Sequence, residues 1–384
     1  MNLAEILVIG GGVIGLAIAT ELRLQGAQVT LLSRDFQAAA GQAAAGMLAP
    51  RAEGLAPGPM LELCLRSLAL YPDWVSKIEA VSGQTTGYWP CGILAPVLTL
   101  TAGQAPSESQ AAQVPLSGTA IHHYQPGLNP AVKGGWFYPE EGQVDSRALL
   151  QALRTAAQEL GVDIQEGVAV EALIQRQQKI ASLRTSAGEF QAEHYVLATG
   201  AWSSQLLPLP VFPCKGQMLA LRTPDASAQL TLHRVLFGEE IYIVPRQDGR
   251  IVLGATTEDV GFSPHNTAAG IAQLLNAAIR LYPPLQAYPL QECWWGYRPT
   301  TPDQLPILGP GPCTNLTLAT GHHRNGILLA PITAKLITQS IQHQPDPLLQ
   351  PFSYDRFHSS DPSTPDPTTF LGRQGNPAPT LHPT

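Results

Sequence analysis

Charge is scarce in this chain. Asp, Glu, Lys and Arg make up 13% of its 384 residues, with 22 basic against 29 acidic side chains and a formal net charge of −7. No basic cluster stands out, which argues against nucleic acid as a partner. Cysteine is scarce too: Cys64, Cys91, Cys214, Cys293 and Cys313 are scattered without C-x-x-C spacing. That argues against a zinc site and a redox-active disulfide, and it suits a reducing compartment. His122-His123 and His322-His323 have the look of metal pairs but lack a third ligand at useful spacing, so no metal is expected. No apolar stretch is long enough to span a bilayer. Ile6 to Ala19 comes nearest to a signal peptide. It lacks a basic start, follows Glu5 and is broken by three consecutive glycines, so a strand–turn–helix reading wins. A soluble, cytoplasmic protein is expected, with room for two domains and no internal repeats.

What is present begins at the N-terminus. The apolar run Ile6-Leu7-Val8-Ile9 reads as a buried strand. Gly10-Gly11-Gly12-Val13-Ile14-Gly15 follows and opens a helix, Leu16 to Gln25, which Gly26 ends. Gln28 to Leu32 then reads as a second strand. A glycine-rich turn in this setting lets a pyrophosphate approach the free N–H groups of the helix start. The acid expected on the ribose at the end of the second strand is replaced by Ser33, followed by Arg34 and Asp35. Serine bonds a ribose hydroxyl more weakly, and Arg34 suits a 2′-phosphate, so NADP stays open on this motif alone. A second cluster, Ala38 to Pro50, is interrupted by Gly41, Gly46 and Pro50 too often for a long helix. Its small residues would let backbone lie flat against a large planar group.

Further on, Glu62 to Val81 reads as an amphipathic helix. Ser146 to Leu160 reads as a helix with Leu149, Leu150 and Leu153 on one face. Asp163 to Val170, Ile180 to Thr185 and His194 to Ala198 read as strands. The last runs into Thr199-Gly200-Ala201-Trp202-Ser203, which suits a sheet edge touching a cofactor. Gly92 to Val97, Lys215 to Leu221, Glu240 to Pro245 and Arg250 to Ala255 are further strand candidates, with Asp248-Gly249 a hairpin turn. Ala268 to Leu281 is a helix among them. Leu316 to Ala319 returns to a strand, and a helix follows with Pro331 expected in its first turn. Pro345 to Phe357 is expected to pack locally, and Ser359 to Thr384 reads as disordered.

Two arginines, Arg298 and Arg324, sit in apolar and glycine-rich surroundings. A buried charge without a partner is costly, and a planar guanidinium suits a carboxylate, so an anionic ligand is the first candidate. For Arg298 the competing reading is a structural ion pair. For Arg324 it is an anchor on backbone carbonyls at a helix start. Tyr242 reads equally as an ordinary half-buried tyrosine. Glu240 and Thr257 are candidates for a pocket wall, while Trp294 and Trp295 read as strand packing.

Six motifs carry a specific resemblance: V-I-G-G-G-V-I-G-L, A-A-A-G-M-L-A-P from Ala43, L-A-T-G-A-W-S from Leu197, C-K-G-Q-M-L from Cys214, Y-I-V-P-R from Tyr242, and the block Gly296 to Pro331 with G-H-H-R-N-G-I-L-L-A-P. Over roughly residues 5 to 342 the chain resembles the D-amino-acid oxidase family of FAD enzymes, on its glycine-oxidising, thiamine-pathway branch. The resemblance implies an α/β fold: a Rossmann-like FAD-binding domain from 1–85, 142–212 and 296–345. Into it is inserted a mostly antiparallel β substrate domain from 86–141 and 213–295, and a tail covers 346–384. It implies non-covalent FAD held at Gly10, Gly12, Val13, Ile14, Gly15, Ser33, Arg34, Ala40, Gly41, Ala45, Gly46, Met47 and Val170. His322, His323, Arg324, Asn325, Gly326, Ile327 and Leu328 would lie along the flavin. The amides of Asn325 to Ile327 would favour negative charge there. Arg298, Tyr242 and Arg324 match the substrate-carboxylate positions. Ser33 departs from the family's usual Glu, and Ala40-Gly41 from its usual hydroxyl residues. The implied activity is oxidation of glycine or another small amine, with the Cα hydrogen leaving as hydride to the flavin. Oxygen is the acceptor, and the products are imine or glyoxylate, ammonia and peroxide. The implied partners are thiazole synthase and further copies of the chain, as a tetramer. Sarcosine or D-amino-acid oxidation, a quinone-linked dehydrogenase, and a non-catalytic flavin module are the alternatives. Covalent attachment would need a cysteine at the flavin, and Cys313 lies before the strand instead.

Overall fold

The computed structural model describes residues 4–98, 112–224 and 232–357. The segment expected to be disordered, Ser359 to Thr384, lies outside the described residues. Two sheets organise the rest.

The first sheet has six strands. Ala4–Ile9 pairs in parallel with Val29–Ser33 on one side and with Ala192–Leu197 on the other. Asp163–Glu166 and Leu316–Thr320 extend it in parallel, and Ile307–Pro310 closes one edge antiparallel. Alternate side chains leave a strand on opposite faces. Ile6 and Val8 therefore join the core under the helices Val13–Leu24, Pro59–Ser82, Ser146–Glu159 and Gly326–Ile341. Leu7 and Ile9 face the other way, toward Ile180 and Leu183 of a small three-stranded sheet. A strand buried on both faces has no room for polar alternation, which is why it reads as a continuous apolar run.

Three expectations need correction here. Asp163 to Val170 is not one strand. Gly167, at φ +76°, breaks it, so Asp163–Glu166 joins the parallel sheet and Val170–Arg176 starts the three-stranded one. The strand leading into Thr199 is not at a sheet edge. Ala192–Leu197 lies between Ala4–Ile9 and Leu316–Thr320, and it is its C-terminal end that reaches the cavity.

The third concerns Pro331. The last helix starts at Gly326, so Pro331 is its sixth residue, not in the first turn. A proline there leaves a carbonyl one turn back without its N–H partner. Ile327 O recovers one from the hydroxyl of Tyr71 at 2.6 Å, and Ser67 Oγ donates to Leu328 O at 2.6 Å. Tyr71 and Ser67 are one turn apart on Pro59–Ser82, so one helix repairs the other. The repair holds a helix with eleven of sixteen residues buried, among them Ile327, Leu328, Leu329, Ile332 and Leu336. Tyr71→Phe is expected to destabilise the protein by about 1–3 kcal/mol, since a buried carbonyl is left unpaired. Urea unfolding checks this, and a midpoint unchanged in the variant would show that Ile327 O finds another donor.

The second sheet has eight strands, in the order Leu290–Thr300, Phe212–Arg222, Arg250–Gly254, Tyr242–Pro245, Val235–Phe237, Ile93–Val97, Gly134–Tyr138 and Val114–Ser117. All its pairings are antiparallel except that of Val235–Phe237 with Ile93–Val97. The helix Ala268–Leu281 packs Leu274, Ala278 and Leu281 against Leu219, Leu221 and Leu253. The fold class is the expected one: an α/β layer with a mostly antiparallel sheet beside it. Leu290–Thr300 is an edge strand, and the side-chain amide of Asn266 covers part of its open side. Oriented to satisfy both groups, that amide donates to Trp294 O at 2.9 Å and accepts from Trp294 N at 3.1 Å. Trp294 donates its ring N–H to Ala43 O, whereas Trp295 is exposed and packs less than expected. Pro347–Phe352 packs Leu348, Leu349 and Phe352 into the helical core.

Candidate functional site

A cavity of about 700 Å³ runs between the two sheets. It starts at the glycine turn, where Gly10, Gly12, Val13 and Ile14 form the wall with Ser33, Arg34 and Val170. The helix Val13–Leu24 begins there without a side-chain cap, so its first N–H groups face the cavity. A Cβ on Gly12 would meet nothing nearer than Ala39 Cβ at 3.9 Å, so backbone and open space meet at that point. Gly15 is different. A Cβ there would come within 1.9 Å of Gly10 O, so it lets the helix close on the turn and lies behind the wall. Ser33 is buried, and the Arg34 guanidinium sits 5.0 Å over the Trp202 ring.

The middle of the cavity is walled by Ala38 to Met47. The expected long-helix failure is seen: one turn, Ala40–Ala43, then a two-residue strand, Met47–Leu48, paired with Gly142–Gln143. Ala40, Gly41, Ala45, Gly46 and Met47 all line the space. The buried Arg246 clamps this segment. Its Nη1 donates to Gln143 Oε1 at 2.5 Å and to Val144 O at 3.1 Å, and its Nη2 donates to Ala45 O at 2.7 Å. Burial lowers the Arg246 pKa to about 10, partly offset by Asp145, so it stays charged at neutral pH. Arg246 had no assigned role in the sequence. The sign was there: a lone arginine closing an apolar strand, the same reasoning that singled out Arg298.

Opposite lies the start of the last helix. His322, His323, Arg324, Gly326 and Ile327 line the cavity, while Leu328 sits in the core and Asn325 behind the wall. The Asn325 amide is also spent, donating to His322 O at 2.9 Å, so of the three amides expected to face a ligand only those of Gly326 and Ile327 are left. Burial pushes His322 down to about 3, and burial with Arg298 and Arg324 pushes His323 down to about 4. Both are neutral at physiological pH. His323 Nδ1 is 2.8 Å from Thr300 Oγ1.

The far end holds Tyr242, Arg298, Arg324 and a residue missed in the sequence, Glu53. Arg298 lies on the edge strand opposite Cys214 and leans over Gly216, where a Cβ would come within 2.6 Å of its Nη1. That is why glycine occupies the third position of C-K-G-Q. Nη1 donates to Thr256 O at 3.1 Å and Lys215 O at 3.4 Å. The Tyr242 hydroxyl, which feels the same guanidinium, donates to Met218 Sδ at 3.3 Å. Those carbonyls are themselves fixed. Glu258 takes Gln217 Nε2 at 2.7 Å and Lys215 Nζ at 3.3 Å, and Lys215 N and Glu258 N exchange backbone bonds. Among the described residues no carboxylate lies within ion-pair distance of Arg298. Arg324 does have one: its Nε is 2.9 Å from Glu53 Oε2. The contact is off the hydrogen-bond line, so it is a charge pair. Thr257 and Glu240 also line this end.

Residues 5–340 match the family described as FAD dependent oxidoreductase, DAO. The chain belongs to the DAO family. A bifunctional protein ThiO/ThiG of Trichormus variabilis is 58% identical over 94% of this chain and 56% of its own length. The chain thus spans about half of that relative. A glycine oxidase of Geobacillus kaustophilus is 32% identical, covering 92% of this chain and 97% of that protein. The crystal structure of glycine oxidase from Geobacillus kaustophilus superposes with a TM-score of 0.84 at 30% identity, over 92% of this chain and 98% of that one.

FAD is the cofactor of this DAO protein, and the residues fit it. The uncapped helix start beside Gly12 suits a pyrophosphate, the Ala40–Met47 segment offers flat backbone, and the Gly326 helix start offers N–H groups without a side-chain cap. The NADP reading of Arg34 lapses with the family assignment. Among the described residues no group of three or more metal-ligating side chains is gathered, and no helix is long and apolar enough to cross a membrane.

One more carboxylate supports the site from behind. Buried Glu141 accepts Arg51 N at 2.5 Å and Ala52 N at 3.1 Å, holding the turn that carries Glu53. Burial outweighs those two N–H groups and pushes its carboxyl up from 4.5 to about 7. Below pH 4.5 it is protonated folded or unfolded. Between 4.5 and about 7 only the folded state keeps the proton, so stability is lost as pH rises through that window and levels off above it. The loss should approach roughly 3 kcal/mol. In Glu141→Gln this part of the pH dependence should vanish. Urea unfolding of both proteins at pH 4.5, 6 and 8 with saturating FAD checks it, and parallel curves would refute it.

Proposed function

We propose that this DAO-family protein oxidises glycine, or a comparably small amino acid, to the imine. Hydrolysis then gives glyoxylate and ammonia, and oxygen is reduced to peroxide. The observation that carries the reading is Arg298: a guanidinium at the end of the cofactor cavity, fixed by neutral carbonyls and, among the described residues, without an acid of its own. A substrate carboxylate supplies the missing charge, and Tyr242 adds a hydrogen bond. Bound FAD supplies the two-electron acceptor. The chain's task is to bind, orient and exclude water. Tyr242 stays protonated, since burial raises its pKa against the lowering effect of Arg298. Arg298, Tyr242 and the pair Arg324–Glu53 close a small, charged end that suits a substrate with little side chain.

We assign the cofactor contacts to Gly10, Gly12, Val13, Ile14, Ser33, Arg34, Ala40, Gly41, Ala45, Gly46, Met47, Val170, His322, His323, Gly326 and Ile327. The 86–141 and 213–295 segments form the substrate-side domain. The flavin is held non-covalently. By the pairing named in the ThiO/ThiG relative, the glycine imine feeds thiazole assembly by a thiazole synthase. A cytoplasmic homo-oligomer is the working form. The test is anaerobic addition of glycine to the purified yellow protein. Bleaching of the flavin and, on admitting air, one peroxide per glyoxylate are expected. A flavin that stays oxidised with glycine, sarcosine and small D-amino acids would leave only a non-catalytic binding role.

A further inference from the structure

The two arginines at the substrate end are not equivalent. Arg298 is held by backbone carbonyls, while Arg324 is held by Glu53. Glu53 is the more buried partner, with its side chain 10% exposed against 47% for Arg324. Its turn is fixed from behind by Glu141 on the amides of Arg51 and Ala52. Glu53, Tyr242 and His323 each feel the charge of both arginines, so the group is compact. Glu240 is exposed and paired with Arg280, so its charge is spent outside the group. Counting the rest, two guanidiniums and the Glu53 carboxylate leave room for one more negative charge. A second would be buried without a partner, which is costly.

We propose that Glu53 is a specificity residue: its carboxylate sits at Arg324 where a second substrate carboxylate would bind, and so restricts the site to amino acids with one carboxylate. This rests on the reading of Arg298 as the substrate clamp. Discrimination here comes from an element that repels the wrong ligand, since Glu53 faces a dicarboxylate with a like charge and an occupied arginine. The proposal separates the two arginines, which looked alike in the sequence. Arg298 selects for a carboxylate, and the Arg324–Glu53 pair selects against a second. Burial pushes the Glu53 carboxyl above its ordinary value in spite of Arg324 and then Arg298, so its negative charge at this place depends on the arginines beside it.

The experiment compares the parent with Glu53→Gln, Arg324→Gln and the double variant, each with full FAD content. Glycine and iminodiacetate are the substrates, the latter because it is achiral and adds only a second carboxylate. Binding of the non-oxidisable acetate and malonate is measured by calorimetry. In Glu53→Gln the ratio of iminodiacetate to glycine in kcat/KM should rise by about tenfold or more, and the malonate-to-acetate affinity ratio should rise with it. Adding Arg324→Gln should abolish both gains. Arg324→Gln alone should weaken acetate and leave malonate excluded. Equal losses for both substrates and both anions in Glu53→Gln would overturn the proposal, leaving Glu53 a fold residue only. Should Glu53→Gln fail to hold FAD, Glu53→Ser, which also removes the charge, must show the same ratios shifted in the same direction or the proposal falls. If the parent oxidises neither substrate, the glycine reading fails, while the acetate and malonate affinities still judge Glu53.

Discussion

Replacing Arg298 by alanine is expected to lower kcat/KM for glycine by roughly thirtyfold to several thousandfold, with FAD still bound. The loss of a charge-assisted contact to a buried carboxylate costs about 2–5 kcal/mol, and about 1.4 kcal/mol is a factor of ten. FAD should stay because the glycine turn and the Ala40–Ala43 turn are separate elements of the wall. Arg298→Lys should recover only part of the activity, since an ammonium cannot both meet the carbonyls of Thr256 and Lys215 and present a fork to the substrate. A simple amine without a carboxylate is the control. It should be a poor substrate for the parent and lose little more in the variant. Wild-type activity of Arg298→Ala on glycine, or inactivity explained by missing flavin, would remove Arg298 from its assigned role.

Replacing Arg246 by leucine is expected to be the most damaging change to the cofactor wall. Gln143 Oε1, Val144 O and Ala45 O would lose their donor inside the protein, and Asp145 would keep Arg250, at 2.5 Å, and the Arg147 and Ala148 N–H groups that it caps. Burial alone would raise the Asp145 carboxyl, but Arg246 and Arg250 hold it below its usual range, so removing one exposes that cost. Breaking a buried charged cluster from one side costs about 3–5 kcal/mol. Because Ala45 belongs to the cavity wall, FAD affinity should fall together with stability. Urea unfolding and flavin titration measure the two. A variant that loses stability yet binds FAD as tightly as the parent would show that the segment keeps its shape without the clamp.

Much of this architecture could be read from the residues alone, and the reasons differ by element. The strand–turn–helix at Ala4 to Leu24 was legible because each residue is constrained locally, by apolar burial, glycine geometry and helix start. Arg298 was legible because charge is rare, so an arginine in an apolar strand calls for an explanation. Arg246 met the same criterion, but its partners are carbonyls and an amide far along the chain. Glu53 was invisible for another reason. It stands in Arg-Ala-Glu-Gly, which reads as surface, and only tertiary packing brings it to Arg324. The break at Gly167 and the late Pro331 were missed because their cause is non-local. One depends on which sheet each half joins, the other on hydroxyls supplied by a different helix.

The central sheet sets Ala4–Ile9 beside Ala192–Leu197, and that strand beside Leu316–Thr320. Neighbours in space are thus separated by a third to a half of the chain. During synthesis at about 5–20 residues per second, the first strand waits for roughly ten seconds or more for its partner, and longer for the sheet to be complete. The glycine turn is made early, but the helix start at Gly326 that faces it is made about 300 residues later. Capture of FAD should therefore wait until that helix start has been made. Pairing over such distances in sequence also makes folding slow. A nascent chain short of FAD would leave the apolar strand ends open for longer, so cofactor supply should govern how much of the protein reaches its folded state.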